Sequence, residues 1–147
     1  MDVIKVIPDK QKALSLLDMA DIRLDLIRLA KKSDKEKYSS KIVEEYYEAV
    51  LELITAIMTA DGYKTRSDLA GTHITSIEYL RTACKEMTEK EINIIDDLRQ
   101  KRNGIKYQGR YVKRDYIDMY ETEIKSLIGK LTILVRKRIK NREELVK

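Results

Sequence analysis

Apolar residues recur along this chain at steps of three and four with few interruptions, a period that predicts helices. Pro8 opens the first one. After it Ala13, Leu16, Leu17, Ala20, Leu24 and Ile27 follow helical spacing, and Met19, Ile22, Leu26 and Leu29 form a second stripe beside them. An apolar arc that wide predicts contact on two sides, with its own bundle or with a second subunit, and so a homodimer. The second helix, from Ser40 to Asp61, turns Ile42, Val43, Tyr46, Tyr47, Val50, Leu51, Ile54, Ile57 and Met58 inward. Glu45, Glu48 and Glu52 make its polar stripe and Gly62 its stop. It is the expected centre of the core.

The loop GYKTRSD leads to a third helix, starting at Ser67 or Thr72 and ending at Lys85, with Ile74, Ile77, Leu80 and Cys84 in step. Thr88 and Glu91 have the spacing of a capping box, in which hydroxyl and carboxylate satisfy each other's backbone donors, so a fourth helix begins there. It directs Ile92, Ile95, Leu98 and Arg102 inward or toward a cleft. Gly104 is expected to weaken it, leaving residues 105–108 (IKYQ) as an exposed loop. The last helix, from Asp115 to Arg142, carries Tyr116, Tyr120, Ile124, Leu127, Leu131 and Leu134 on one stripe. At 1.5 Å per residue it spans on the order of 40 Å. The run TILV at 132–135 lies inside that pattern, and no strand is predicted. The expectation is an all-α, up-and-down helical bundle of about five helices.

Composition narrows the class. A chain of 147 residues with 43% apolar content is long enough for one core and close to the usual size of one domain, so a single domain over 1–147 is expected. Charged residues reach 37%, above the usual value of about 25%, while Leu, Ile and Val remain too plentiful for general disorder. A single cysteine, Cys84, forms no internal disulfide, which fits the cytoplasm. Neither a signal-peptide core nor the roughly 18 continuous apolar residues of a membrane span is present, so no membrane role is expected.

One histidine and one cysteine remove most enzyme chemistries. A zinc site needs three or four ligands, and His73 has no nearby Cys or His in the sequence. On one helix His73 and Cys84 stand about three turns, roughly 16 Å, apart, too far for a nucleophile and its base. No glycine-rich phosphate loop follows a strand. No metal or cofactor is therefore expected; His73 reads as a structural residue near a helix start and Cys84 as a core residue.

Charge is what the chain distributes unevenly. Residues 99–114 carry seven basic side chains and no acid, and residues 130–147 carry an excess of five, leaving −7 for the remainder of a chain whose net charge is +5. The later segment fits the solvated end of a helix, where cations suit the negative end of the helix dipole. The earlier one fits that reading less well. Arg99 and Arg102 share a helix face one turn apart, in a multi-donor arrangement suited to phosphates. Pairing with Asp96 or Asp97 is the plain alternative for Arg99. For the whole stretch, Lys101, Lys106 and Arg110 interleave with Tyr107 and Tyr111, whose rings can stack on bases. That combination points to single-stranded nucleic acid or nucleotides.

The segment DDLRQKRNGIKYQG, with YYEAVLELITAIMTADGYK and GTHITSIEYL upstream, resembles the HEPN domain (higher eukaryotes and prokaryotes nucleotide-binding) over residues 40–130. The resemblance implies a helical bundle that often dimerises. In many members it also implies a metal-independent ribonuclease whose motif is Arg, four to six residues, His, often a toxin encoded with a nucleotidyltransferase antitoxin. Arg102 matches the motif arginine and Asn103 the polar residue after it. Tyr107 stands where the histidine is expected. Histidine takes and gives protons at neutral pH, whereas tyrosine, near pKa 10, is a poor base there. The implied function is RNA or nucleotide binding with ribonuclease activity weakened or absent. Two alternatives stay open: an active ribonuclease in which Arg102 stabilises phosphate charge and Tyr107 acts as acid, and a non-catalytic module docking an acidic partner surface.

Overall fold

The computed structural model describes residues 2–66 and 71–146, with side chains as far as residue 143. Five helices follow the periodicity: α1 Lys10–Asp34, α2 Ser39–Asp61, α3 Thr72–Ala83, α4 Glu89–Gln108 and α5 Arg114–Val146. The all-α bundle is as the sequence predicts. No helix among the described residues is long and apolar enough to cross a membrane.

Local chemistry explains most helix ends. The Asp9 carboxylate accepts from the Lys12 N–H at 3.0 Å and opens α1. The reciprocal Thr88–Glu91 box opens α4. Gly62 closes α2 in the left-handed region at φ +86°, and there the chain admits no side chain, because a Cβ would lie 2.8 Å from the Val6 carbonyl oxygen. Of the alternative starts for the third helix, Thr72 is the one observed; Ser67 lies outside the described residues.

Helix α2 is the centre. It packs against α1, α3, α4 and α5, and its Ile42, Val43, Tyr46, Tyr47, Val50, Ile54 and Ile57 are almost wholly buried. Leu51 is only half-buried, and Leu53, two positions on, takes an inner position instead. On α1 the first stripe faces this core, with Ala13, Leu17, Ala20 and Ile27 buried, whereas Met19, Ile22, Leu26 and Leu29 stand exposed.

Two expectations are corrected. The chain contains a small antiparallel sheet in which β1 (Val3–Lys5) pairs with β2 (Tyr63–Thr65) in the register Ile4 to Lys64. Three-residue strands are too short to show alternation, and β1 reaches its partner only because α1 and α2 return the chain beside it. Second, residues 105–108 are helical. Helix α4 runs through Gly104 to Gln108, and Gly109, at φ +63°, caps it by donating its N–H to the Gly104 carbonyl. A helical glycine costs about 1 kcal/mol relative to alanine, and the packing of Ile105 against the core offsets that cost.

The basic segment of α5 is used within the fold. Arg138 donates to Asp61 Oδ2 at 2.5 Å and to the Ala83 carbonyl at 2.7 Å, and Lys130 donates to Glu91 at 2.8 Å. Tyr79 donates to the same Asp61 oxygen at 2.6 Å, so α2, α3 and α5 meet on one carboxylate.

Candidate functional site

Arg102 is the residue that the motif resemblance singles out, and its surroundings differ from those of a side chain at a frayed helix end. It lies inside α4 and is 7% exposed. Its Nε donates to Glu48 Oε1 at 3.2 Å, its Nη2 lies 3.1 Å from the same oxygen, and its Nη1 donates to Asn103 Oδ1 at 3.3 Å. The guanidinium sits over the rings of Tyr47 and Tyr107, 5.8 and 5.9 Å from their centroids. Arg102 therefore holds α4 to α2, and most of its donors are already engaged.

The other basic side chains divide by partner. Arg99 pairs with Asp96 at 2.9 Å and Arg114 with Asp118 at 3.4 Å. Lys101, Lys106, Arg110 and Lys113 have no carboxylate partner among the described residues. Lys101, Arg110 and Lys113 line a cavity of about 620 Å³ together with Asn103, Tyr107 and Tyr111. Lys106 lies outside it, over the Tyr107 ring at 5.7 Å. The site residues expected from the sequence thus converge on the last turns of α4 and the segment after it.

That segment is fixed by the Ser39–Ser40 pair at the start of α2. Ser39 Oγ donates to the Val112 carbonyl at 2.6 Å, and the Val112 N–H donates to Ser40 Oγ at 2.9 Å. The Tyr111 hydroxyl lies 2.9 Å from Ser39 Oγ and donates to the Glu36 carbonyl. Tyr111 nevertheless stays 56% exposed, and Tyr107 69%. Two aromatic faces are presented to solvent among cations. One of them is anchored through its hydroxyl.

A second, smaller cavity of about 240 Å³ adjoins the first and shares Asn103 and Tyr107 with it. Arg99 and Arg102 from α4, and Gly71, Thr72, His73 and Ile74 at the start of α3, complete its wall. No sequence signal places His73 here, because it arrives on a different helix, 29 residues before Arg102. Its Nδ1 lies 3.0 Å from the Tyr47 hydroxyl. Burial lowers the His73 pKa from its ordinary 6.5, and the Arg102 charge lowers it further. Burial also pushes the Tyr47 phenol up, above the range it reaches in water. The phenol therefore keeps its proton and the imidazole is neutral at pH 7, the two sharing one hydrogen bond at Nδ1.

Chemically the surface offers fixed cations, exposed aromatic faces and one neutral imidazole. No group of three or more His, Cys, Asp or Glu side chains among the described residues is placed to hold a metal ion. Comparison with protein-family models, curated proteins and solved structures finds no match to this chain.

Proposed function

We propose that the chain binds RNA or a nucleotide through the surface formed by the end of α4 and residues 109–113, as a HEPN-like protein whose ribonuclease activity is weakened or absent. One observation carries this reading: four cations without carboxylate partners gather around two exposed tyrosine rings, three of them in a basin of about 620 Å³. Like charges held together repel one another, and a phosphate backbone relieves that repulsion while its bases stack on the rings. The basin is also within the usual size range of small-ligand sites, roughly 300–1,000 Å³. A solvated helix face offers neither the concavity nor the anchored aromatic.

A catalytic reading has one observation in its favour, the neutral His73 imidazole in the same small basin as Arg102. In that reading the imidazole supplies the proton-handling group that Tyr107 lacks. Cleavage of a labelled RNA by the wild-type chain, lost in His73→Gln, would establish it over the non-catalytic reading. The resemblance adds a setting to the proposal, a toxin–antitoxin or defence pair with a nucleotidyltransferase partner.

The test of binding is fluorescence anisotropy with a labelled hexauridylate. Affinity is expected to fall with salt, with a slope of roughly 0.7 per neutralised phosphate. Replacing both Lys101 and Arg110 by Glu is expected to lower affinity at least tenfold. Binding insensitive to salt, or unaffected by that double charge reversal, would leave the basic surface as a face for an acidic protein partner.

The homodimer belongs to the same proposal. Met19, Ile22, Leu26 and Leu29 repeat at three- and four-residue steps on the exposed face of α1, the spacing of a coiled-coil seam. Asp18 and Asp21 lie along its first half, and Arg28 and Lys32 along its second. Two copies of α1 laid antiparallel bring each acidic half against a basic one.

A further inference from the structure

The proposed binding surface does not end at Tyr107. Asn103 and Tyr107 stand one turn apart on α4 and belong to both cavities, so their side chains form a ridge with a basin on either side. Lys101, Arg110 and Lys113 lie in the larger basin, Arg99 and His73 in the smaller.

Three donors of the smaller basin have no partner of their own among the described residues. Arg99 uses Nε on Asp96 at 2.9 Å and keeps its Nη groups. Asn103 accepts from Arg102 through Oδ1 and keeps Nδ2. His73 is met at Nδ1 by the Tyr47 hydroxyl and keeps Nε2, which is a donor in the tautomer whose Nδ1 accepts from that hydroxyl. The nearby acids are already occupied, Glu48 by Arg102 and Asp96 by Arg99. No carboxylate among the described residues lines the basin.

We infer that the basin between α3 and α4 is a second phosphate subsite, built from Arg99, His73 and Asn103, and that the ligand of the surface is an oligonucleotide of at least two nucleotides lying across Tyr107. The inference rests on the proposed nucleic-acid reading of the larger basin. Arg99 and Lys101, two positions apart on α4, project roughly 160° apart, which around a helix 10–12 Å across is on the order of 11 Å, a span that their long side chains shorten. Two phosphates of one strand can bridge that separation, and the single phosphate of a mononucleotide cannot. A base on the exposed Tyr107 ring sends its flanking phosphates to opposite sides of the ridge, one to Arg99 and His73, the other to Lys101, Arg110 and Lys113. A mononucleotide leaves one basin unfilled.

Calorimetric titration of the full chain at low salt tests this with uridine 5′-monophosphate, the dinucleotide pUpU and hexauridylate. The dinucleotide is expected to bind at least tenfold more tightly than the monophosphate. His73→Leu is expected to remove that advantage. His73→Gln, whose amide nitrogen reaches near the Nε2 position, is expected to keep most of it. Arg99→Gln, which does not disturb Tyr47, is expected to act like His73→Leu and guards against a loss that comes from misfolding. Equal affinities for monophosphate and dinucleotide, while hexauridylate binds with salt dependence, would overturn the second subsite alone. So would a dinucleotide advantage that persists in both His73→Leu and Arg99→Gln. Failure of all three probes to bind would overturn the nucleic-acid reading and the subsite with it.

Discussion

Arg102→Ala is expected to destabilise the fold before it says anything about a ligand. The side chain is 7% exposed and contributes two of its nitrogens to Glu48, which keeps 27% of its own side chain in water. Removing one partner of a fully buried pair costs about 3–5 kcal/mol, because the other charge is left without compensation. Glu48 can recover part of its hydration, which lowers the expected loss to about 2–3 kcal/mol. The lost contact of the guanidinium with the Tyr47 ring adds about 0.5–1 kcal/mol. A total near 3 kcal/mol corresponds to a fall in Tm on the order of 10 °C for a chain of this size. Urea unfolding followed by circular dichroism measures it directly, as a lower midpoint at unchanged slope. The control is Arg102→Met combined with Glu48→Met, in which no charge is stranded and an apolar pair fills the space. That variant is expected to return to within about 1 kcal/mol of wild type. A single variant within about 0.5 kcal/mol of wild type would refute the reasoning, since Glu48 would then be well solvated and the guanidinium free to serve a ligand. RNA affinities of Arg102 variants are therefore to be compared only under conditions where each remains folded.

Three further outcomes follow from particular contacts. Gly62→Ala is expected to cost about 1–3 kcal/mol, because it forces a side chain into the left-handed region and against the Val6 carbonyl; a chemical denaturation midpoint equal to wild type would show that the β1–α2 junction yields easily. Burial raises the Glu121 pKa, but hydrogen bonds from Lys31 and Tyr46 outweigh it and leave the group below its ordinary 4.5. Its contribution to stability is thus complete above that value and lost as pH falls through the depressed one, so the stability difference between wild type and Glu121→Gln is expected to shrink as pH falls below 4.5; a difference independent of pH would show that the carboxylate is not held in its charged form. Light scattering at micromolar concentration is expected to show a dimer that Ile22→Glu with Leu26→Glu converts to monomer, and a wild-type monomer would exclude the α1 seam.

The helices were legible because their signals are short-range. Apolar steps of three and four identified α2 and the inner stripe of α1, and the Thr88–Glu91 spacing placed the start of α4. Gly104 misled for the same reason. Its local cost was visible, while the packing of Ile105 that offsets it depends on the rest of the bundle. The β1–β2 pair escaped notice because three residues carry no period and the partners lie about sixty residues apart.

The sequence by itself determined where positive charge is concentrated: seven basic residues without an acid between positions 99 and 114. It did not determine which of them are free. That was decided by the crossing of α4 over α2, which gives Arg102 to Glu48, 54 residues away, while Lys101, Lys106, Arg110 and Lys113 are left without carboxylate partners among the described residues. The same packing brings His73 and Tyr47 beside Arg102 from two other helices. Helix formation is governed by neighbours within about four positions along the chain, so it is written locally. A charge is neutralised or left available by whatever lies within a few ångströms in space, and only the folded arrangement specifies that.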